Sequence, residues 1–254
     1  MKVIRTIAEL ETVPGTGLVP TMGALHDGHL ALLQAARREN ETVVMSLFVN
    51  PAQFDEPADL DAYPRDEPRD LEIAEAQGVD VVFAPAREEL YPSGFASWVD
   101  PDETGAEGDS RPGHFRGVAT VCLKLFNLVR PERAYFGQKD AQQVAVIKQL
   151  VRDLNVPVQI RVVATVRDPD GLALSSRNAR LSAEERRRAL GLPRSLAAAA
   201  GAPDPVAAAR NSLNGLDPEY VELLDLGDAK VLAAAVRVGY TRLIDNVLVE
   251  GEIR

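Results

Sequence analysis

The chain has 254 residues, 46% hydrophobic and 5% aromatic, with three histidines, one cysteine and a formal charge of −10 at pH 7. That length holds a full hydrophobic core as one large domain or two unequal ones, and the acidic balance argues against a nucleic-acid-binding surface. No apolar run reaches the length of a membrane span, Met1-Lys2-Val3-Ile4-Arg5 lacks a signal peptide's apolar stretch, and Cys122 alone permits no intrachain disulfide; a cytoplasmic protein with no membrane partner is expected.

Up to about residue 165, strand-like runs at 17–20, 42–49, 79–83, 133–136 and 156–163 alternate with helical patterns near 29–39, 66–77, 115–129 and 139–154. In the last helix Val144, Ile147, Val151 and Leu154 recur at spacings of three or four, an apolar stripe. The alternation predicts an α/β fold with a doubly wound, Rossmann-like parallel sheet, and ligands at the carboxyl ends of its strands. Segments 50–70 and 100–113 read as loops. Beyond a hinge near Thr165-Val166-Arg167 the texture changes to alanine-rich helical stretches at about 182–200 and 204–214, then short strands at 220–224 and 241–245. We therefore expect a domain over 1–165 and a smaller α+β lid domain over 166–254. Cys122, among Val118, Val121, Leu125 and Val129, reads as a packed helix residue with no redox role.

Two histidines fall in one run, Pro20-Thr21-Met22-Gly23-Ala24-Leu25-His26-Asp27-Gly28-His29, where a strand gives way to a helix. A helix N-terminus offers unpaired N–H groups and partial positive charge to an anion, and Gly28 keeps no side chain in the way. His26 and His29, three apart, would share one helix face and donate to the same anion. As metal ligands they lack the third and fourth partners that zinc needs; as incidental residues of an exposed helix start they would need no explanation if the run stood alone.

Four further segments hold polar residues that a core has little use for. In Asn50-Pro51-Ala52-Gln53-Phe54 the amides suit a polar small molecule, although Asn-Pro is also a common turn. Arg111-Pro112-Gly113-His114 brings arginine and histidine into a glycine loop, where a carboxylate or phosphate could pair with Arg111. Gly137-Gln138-Lys139-Asp140, with Gln143 on the face of Lys139, opens another helix; a lysine there opposes the helix dipole and asks for a functional reason. Ser175-Ser176-Arg177 near the hinge could close over a triphosphate.

In this order and spacing the segments resemble the pantoate:β-alanine ligase family, over nearly the whole chain from Val19 to Asn246. His26-Asp27-Gly28-His29 and Leu174-Ser175-Ser176-Arg177 are similar to motifs of a wider nucleotidyltransferase superfamily, whereas Asn50–Phe54 and Gly137–Asp140 are more specific to the ligase. The resemblance implies ATP-dependent condensation of pantoate with β-alanine through a pantoyl adenylate. ATP would be bound by Met22, His26, His29, Gly137, Lys139, Asp140, Val166, Ser175, Ser176 and Arg177. The catalytic groups among them would be His26, His29, Lys139, Ser175 and Arg177. Gln53 and Gln143 would hold pantoate, with Asn50, Tyr63, Arg111, His114 and Phe136 in or around the pantoate and β-alanine pocket. Magnesium would arrive with ATP, without a dedicated protein metal site, and a homodimer is implied. The alternative is a nucleotidyltransferase of the same superfamily that leaves AMP on its product. The chain departs from the family pattern at Leu174, Gln138 and Ala141, and between about 190 and 214, where it looks shortened.

Overall fold

Strand β1 (Lys2–Ile4), β2 (Thr16–Thr21), α1 (Asp27–Glu39), β3 (Thr42–Leu47), α2 (Pro57–Asp61), α3 (Glu67–Ala76), β4 (Val81–Phe83), α4 (Arg87–Leu90), α5 (Ala106–Ser110), α6 (His114–Val129), β5 (Arg133–Gly137), α7 (Ala141–Asp153) and β6 (Gln159–Val163) form the first part of the chain. The structure is a computed structural model and describes residues 1–252 other than positions 56, 214 and 228. Positions 56 and 214, within the expected loop 50–70 and helix 204–214, thus lie outside the described residues.

The six strands pair in parallel in the order β1-β4-β3-β2-β5-β6. Adjacent residues of a strand point to opposite faces, and the core divides accordingly. Leu18, Val44 and Phe136 pack under α6 and α7, whereas Val19, Val43, Met45 and Tyr135 pack under α1. Burial on both faces explains why these strands read as continuous apolar runs. Helix ends follow local chemistry: Asp66 caps α3 by accepting from Arg69 N, with proline in the first turn. Cys122 is buried within α6, and burial pushes its thiol up to about 12.

Beyond β6 come α8 (Ala183–Ala189), α9 (Gly191–Ala199), α10 (Pro205–Ser212) and an antiparallel sheet of β7 (Asp217–Asp225), β8 (Ala229–Val238) and β9 (Thr241–Gly251), in the order β7-β8-β9. Four sequence expectations need correction. The stretch 182–200 is two helices meeting at Leu190, the loop 50–70 contains α2, and the loop 100–113 contains α5. The fourth concerns β1 and β8, to which sequence patterning assigns no strand. β8 carries Ala233-Ala234-Ala235, which favours helix in isolation. It becomes the central strand because small side chains fit a sheet covered on both faces: Ala234 and Val236 meet α9, while Ala233 and Ala235 meet Ala106 and Tyr220.

Candidate active site

The strand order reverses between β2 and β5, which lie side by side with Leu18 opposite Ala134. Connections leave such a pair toward opposite sides and open a crevice at the carboxyl ends. A cavity of about 550 Å³ opens there, roofed by the C-terminal sheet and the 172–178 segment, and every residue assigned to the site from the sequence lines it.

After β2 the main chain turns through two left-handed residues, Gly23 (φ +85°) and Ala24 (φ +52°). Their turn aims successive N–H groups at one point, and the buried Asp70 of α3 sits there: its carboxylate accepts from Ala24 N at 2.9 Å and Leu25 N at 2.8 Å. A methyl on Gly23 would lie 2.7 Å from Asp70 Oδ2, so glycine is required. Nothing in the sequence separates Asp70 from an ordinary acidic residue in a first helical turn.

His26 does not share a helix face with His29; it is the residue preceding α1, in an extended conformation. Its Nδ1 accepts from Gly28 N at 3.1 Å, and Nδ1 of His29 accepts from His26 N at 3.2 Å. The Gly28 amide is therefore used internally, and the absent side chain makes room for the His26 ring rather than for a ligand, since a Cβ would lie 2.9 Å from it. With both Nδ1 atoms accepting, each neutral ring carries its proton on Nε2. The rings lie 4.1 Å apart. Burial, followed by the charges of His26 and Lys139, pushes His29 down to about 3, and burial with Lys139 lowers His26. Both are hydrogen-bond donors rather than cations at neutral pH.

Lys139 sits in a 3-10 turn, Gln138–Asp140, between β5 and α7, with its ammonium 3.5 Å from Asp140 Oδ1. Gln143, in the first turn of α7, also faces the cavity and makes no side-chain hydrogen bond among the described residues.

On the opposite wall, Asn50 is fully buried and its amide is saturated. Nδ2 donates to Gln53 Oε1 at 3.0 Å and to Gly117 O at 3.1 Å, while Oδ1 accepts from Ala52 N at 3.3 Å and the Tyr91 hydroxyl at 2.9 Å. Gly117 of α6 permits this approach, because a methyl there would overlap the Ala52 carbonyl. His114 Nδ1 lies 2.8 Å from Gln53 O, to which Arg111 also donates at 3.2 Å. Burial, then the Arg111 charge, lowers His114 to about 4, so it is neutral and donates from Nδ1. Asn50, Arg111 and His114 thus all bear on Gln53. Phe136 packs edge-on to Phe126, and Tyr63 reaches Gly23 O at 3.4 Å while its ring meets Phe54 edge-on.

From the C-terminal side, Val166, Ser175 and Ser176 line the same cavity, and Arg177 pairs with Asp59 of α2 at 2.7 Å. Sequence reasoning missed several partners: Asp59; Glu107, whose carboxylate accepts from Arg242 at 2.7 and 2.8 Å and from Tyr220 at 2.8 Å; and Thr165 Oγ1 and Asn178 Oδ1, buried oxygens of the cavity wall without a hydrogen-bond partner among the described residues. Burial opposes the Glu107 charge, but Arg242 and Tyr220 hold its carboxyl below the usual range. No group of three or more His, Cys, Asp or Glu side chains is placed to hold a metal ion among the described residues, and no helix among them is long and apolar enough to cross a membrane.

The family model for pantoate-β-alanine ligase matches residues 2–248. The chain belongs to the pantoate-β-alanine ligase family. Among its relatives, pantothenate synthetase of Roseiflexus sp. (strain RS-1) is 51% identical over 277 aligned positions, covering 98% of this chain and 100% of the relative. The crystal structure of pantothenate synthetase from Thermus thermophilus superposes with a TM-score of 0.92 at 43% identity, covering 98% of this chain and 99% of that one. The ligase from Francisella tularensis, solved in complex with β-γ ATP and β-alanine, gives 0.86 at 36% identity with 99% of both chains covered. Membership of this ligase family does not favour the alternative in which AMP stays on the product.

Proposed function

We propose that the cavity condenses pantoate with β-alanine at the expense of ATP, releasing AMP and pyrophosphate. One observation carries this reading: Gln53 Nε2 and the Gln143 amide, free of hydrogen bonds to the protein among the described residues, line the same cavity as Lys139 and the two Nε2–H histidines. Such a cavity receives a hydroxy acid and a triphosphate together.

In the first step a pantoate carboxylate oxygen attacks the α-phosphorus, forming the acyl–phosphate bond as the bond to pyrophosphate breaks. The carboxylate is already ionised, so catalysis is positioning and charge stabilisation. His26 and His29 donate from Nε2 to the departing pyrophosphate. Lys139 contacts the phosphates, and Arg177 leaves Asp59 to do the same, with Ser175 and Ser176 beside it. Met22, Gly137, Asp140 and Val166 border the adenosine part. In the second step the neutral amine of β-alanine attacks the acyl carbon, the carbon–nitrogen bond forms, AMP leaves, and the amine's surplus proton goes to solvent. Residues 1–165 form the nucleotide- and pantoate-binding domain and 166–254 the lid.

Magnesium fits as a passenger of ATP. It binds phosphate oxygens and water with few protein ligands, and since each lining carboxylate already faces a cation, Asp140 that of Lys139, the ion would sit on the triphosphate. Bound there, the ion would neutralise triphosphate charge. Cytoplasmic location and homodimeric assembly are carried by the resemblance; light scattering tests the dimer. Incubation with ATP, Mg²⁺, pantoate and β-alanine tests the activity. AMP, pyrophosphate and pantothenate are expected; ADP, or AMP formed without pantoate, would overturn the reading.

A further inference from the structure

The β9 segment Thr241–Asn246 takes no part in the chemistry above, yet two of its residues, Asp245 and Asn246, are charged or polar and almost wholly buried at 2% exposure each. They are neighbours on β9, paired with Ala234 and Ala233 of β8, so their side chains leave opposite faces of the strand. Asp245 takes a two-pronged bond from Arg167, at 2.6 and 3.0 Å, and Arg167 also donates to Gly171 O at 3.1 Å. Asn246 faces the first part of the chain. Its Nδ2 donates to Gln138 O and to Lys139 O, both at 2.9 Å, and its Oδ1 accepts from Gln138 Nε2 at 3.1 Å.

Two carbonyls and one amide N–H fix which way the Asn246 amide points and leave it no N–H to offer a ligand, although it lines the cavity. The carbonyls it holds belong to a three-residue 3-10 turn, whose own hydrogen-bond geometry is poorer than an α-helix's. We propose that Asn246 is a positioning residue for the reaction: from the C-terminal sheet it anchors the Gln138–Lys139 main chain and thereby sets where the Lys139 ammonium meets the phosphates.

This inference rests on Lys139 acting on the phosphates, and the test separates the two. Asn246→Asp keeps the shape but turns an oxygen toward the two carbonyls. In pantoate-dependent ATP–pyrophosphate exchange by the full-length enzyme, kcat falls by about tenfold or more, while KM for ATP and pantoate stays within about threefold. Placed on Lys139→Ala, the same change costs less than about twofold further, because its effect passes through the missing ammonium. A full, multiplicative loss in that background, or a single variant within about twofold of wild type, overturns the proposal. A Lys139→Ala enzyme that keeps its rate sinks the site reading instead. Should Asn246→Asp not fold, Gln138→Ala removes only the bond that orients the amide. About a threefold loss of kcat is expected, absent on Lys139→Ala; an unchanged rate, or the same loss in both backgrounds, overturns the proposal.

Discussion

Asn50 donates a 3.0 Å hydrogen bond from Nδ2 to Oε1 of Gln53, and that bond decides which end of the Gln53 amide faces the cavity. The cavity receives N–H donors, suited to a carboxylate or hydroxyl oxygen. Asn50→Ala frees the amide to turn over and strips a partner from the Gly117 carbonyl. We expect KM for pantoate to rise about tenfold, KM for ATP to hold, and stability to fall by about 1–3 kcal/mol. Steady-state kinetics and urea melts measure both. Gln53→Glu, which sets a carboxylate against a carboxylate, should cost more than Asn50→Ala in kcat/KM for pantoate.

His29 acts as a neutral donor in this geometry. His29→Ala removes one N–H from the departing pyrophosphate, and loss of one such donor typically costs about 10² to 10³ in rate. Pyrophosphate exchange measures it; a variant within a small factor of wild type would refute the role. Nitrogen-15 NMR of the free protein should show both His26 and His29 protonated at Nε2 at neutral pH.

The two most strongly shifted histidines also fix the sign of the pH dependence of stability. His29 and His114 are lowered to about 3 and about 4, so the folded protein leaves them uncharged while the unfolded chain protonates them below about 6.5. Unfolding then takes up protons, and stability falls as pH drops from about 6.5 toward the folded values, by at most about 1.4 kcal/mol per pH unit for each ring. Urea melts at pH 7, 6 and 5 should show the fall, and His114→Asn should make it shallower.

Glu107 and Arg242 join α5 to β9 by two bonds of 2.7 and 2.8 Å. Arg242→Met leaves a buried carboxylate without its cation, and such a change costs about 3–5 kcal/mol. Combining it with Glu107→Gln should recover part of the loss, as a double-mutant cycle in thermal melts would show.

The cavity wall that carries His26, His29 and Lys139 was legible because its pattern is local. A strand end, a glycine turn and a helix start occupy a dozen residues, so His26, His29 and Lys139 stand out from patterning and residue type. Asp70, Asp59, Glu107 and Asn246 did not, since each acts on a segment distant in sequence and looks like an ordinary solvated side chain or a helix-start acid when read in line. Asn50, Arg111 and His114 were expected in or around the pocket, but their shared hold on Gln53 was not legible, because the sequence does not say which donors already have partners.

The sequence by itself determined the alternation of strands and helices, the family, and the residue types at each strand end, all consequences of short-range periodicity and composition. Tertiary structure alone decided that β2 and β5 become neighbours, that an alanine run becomes the central strand of the second sheet, and that β9 holds the turn carrying Lys139. Those outcomes depend on which faces are covered and which buried hydrogen bonds are satisfied, and both are settled only when segments far apart in the chain meet.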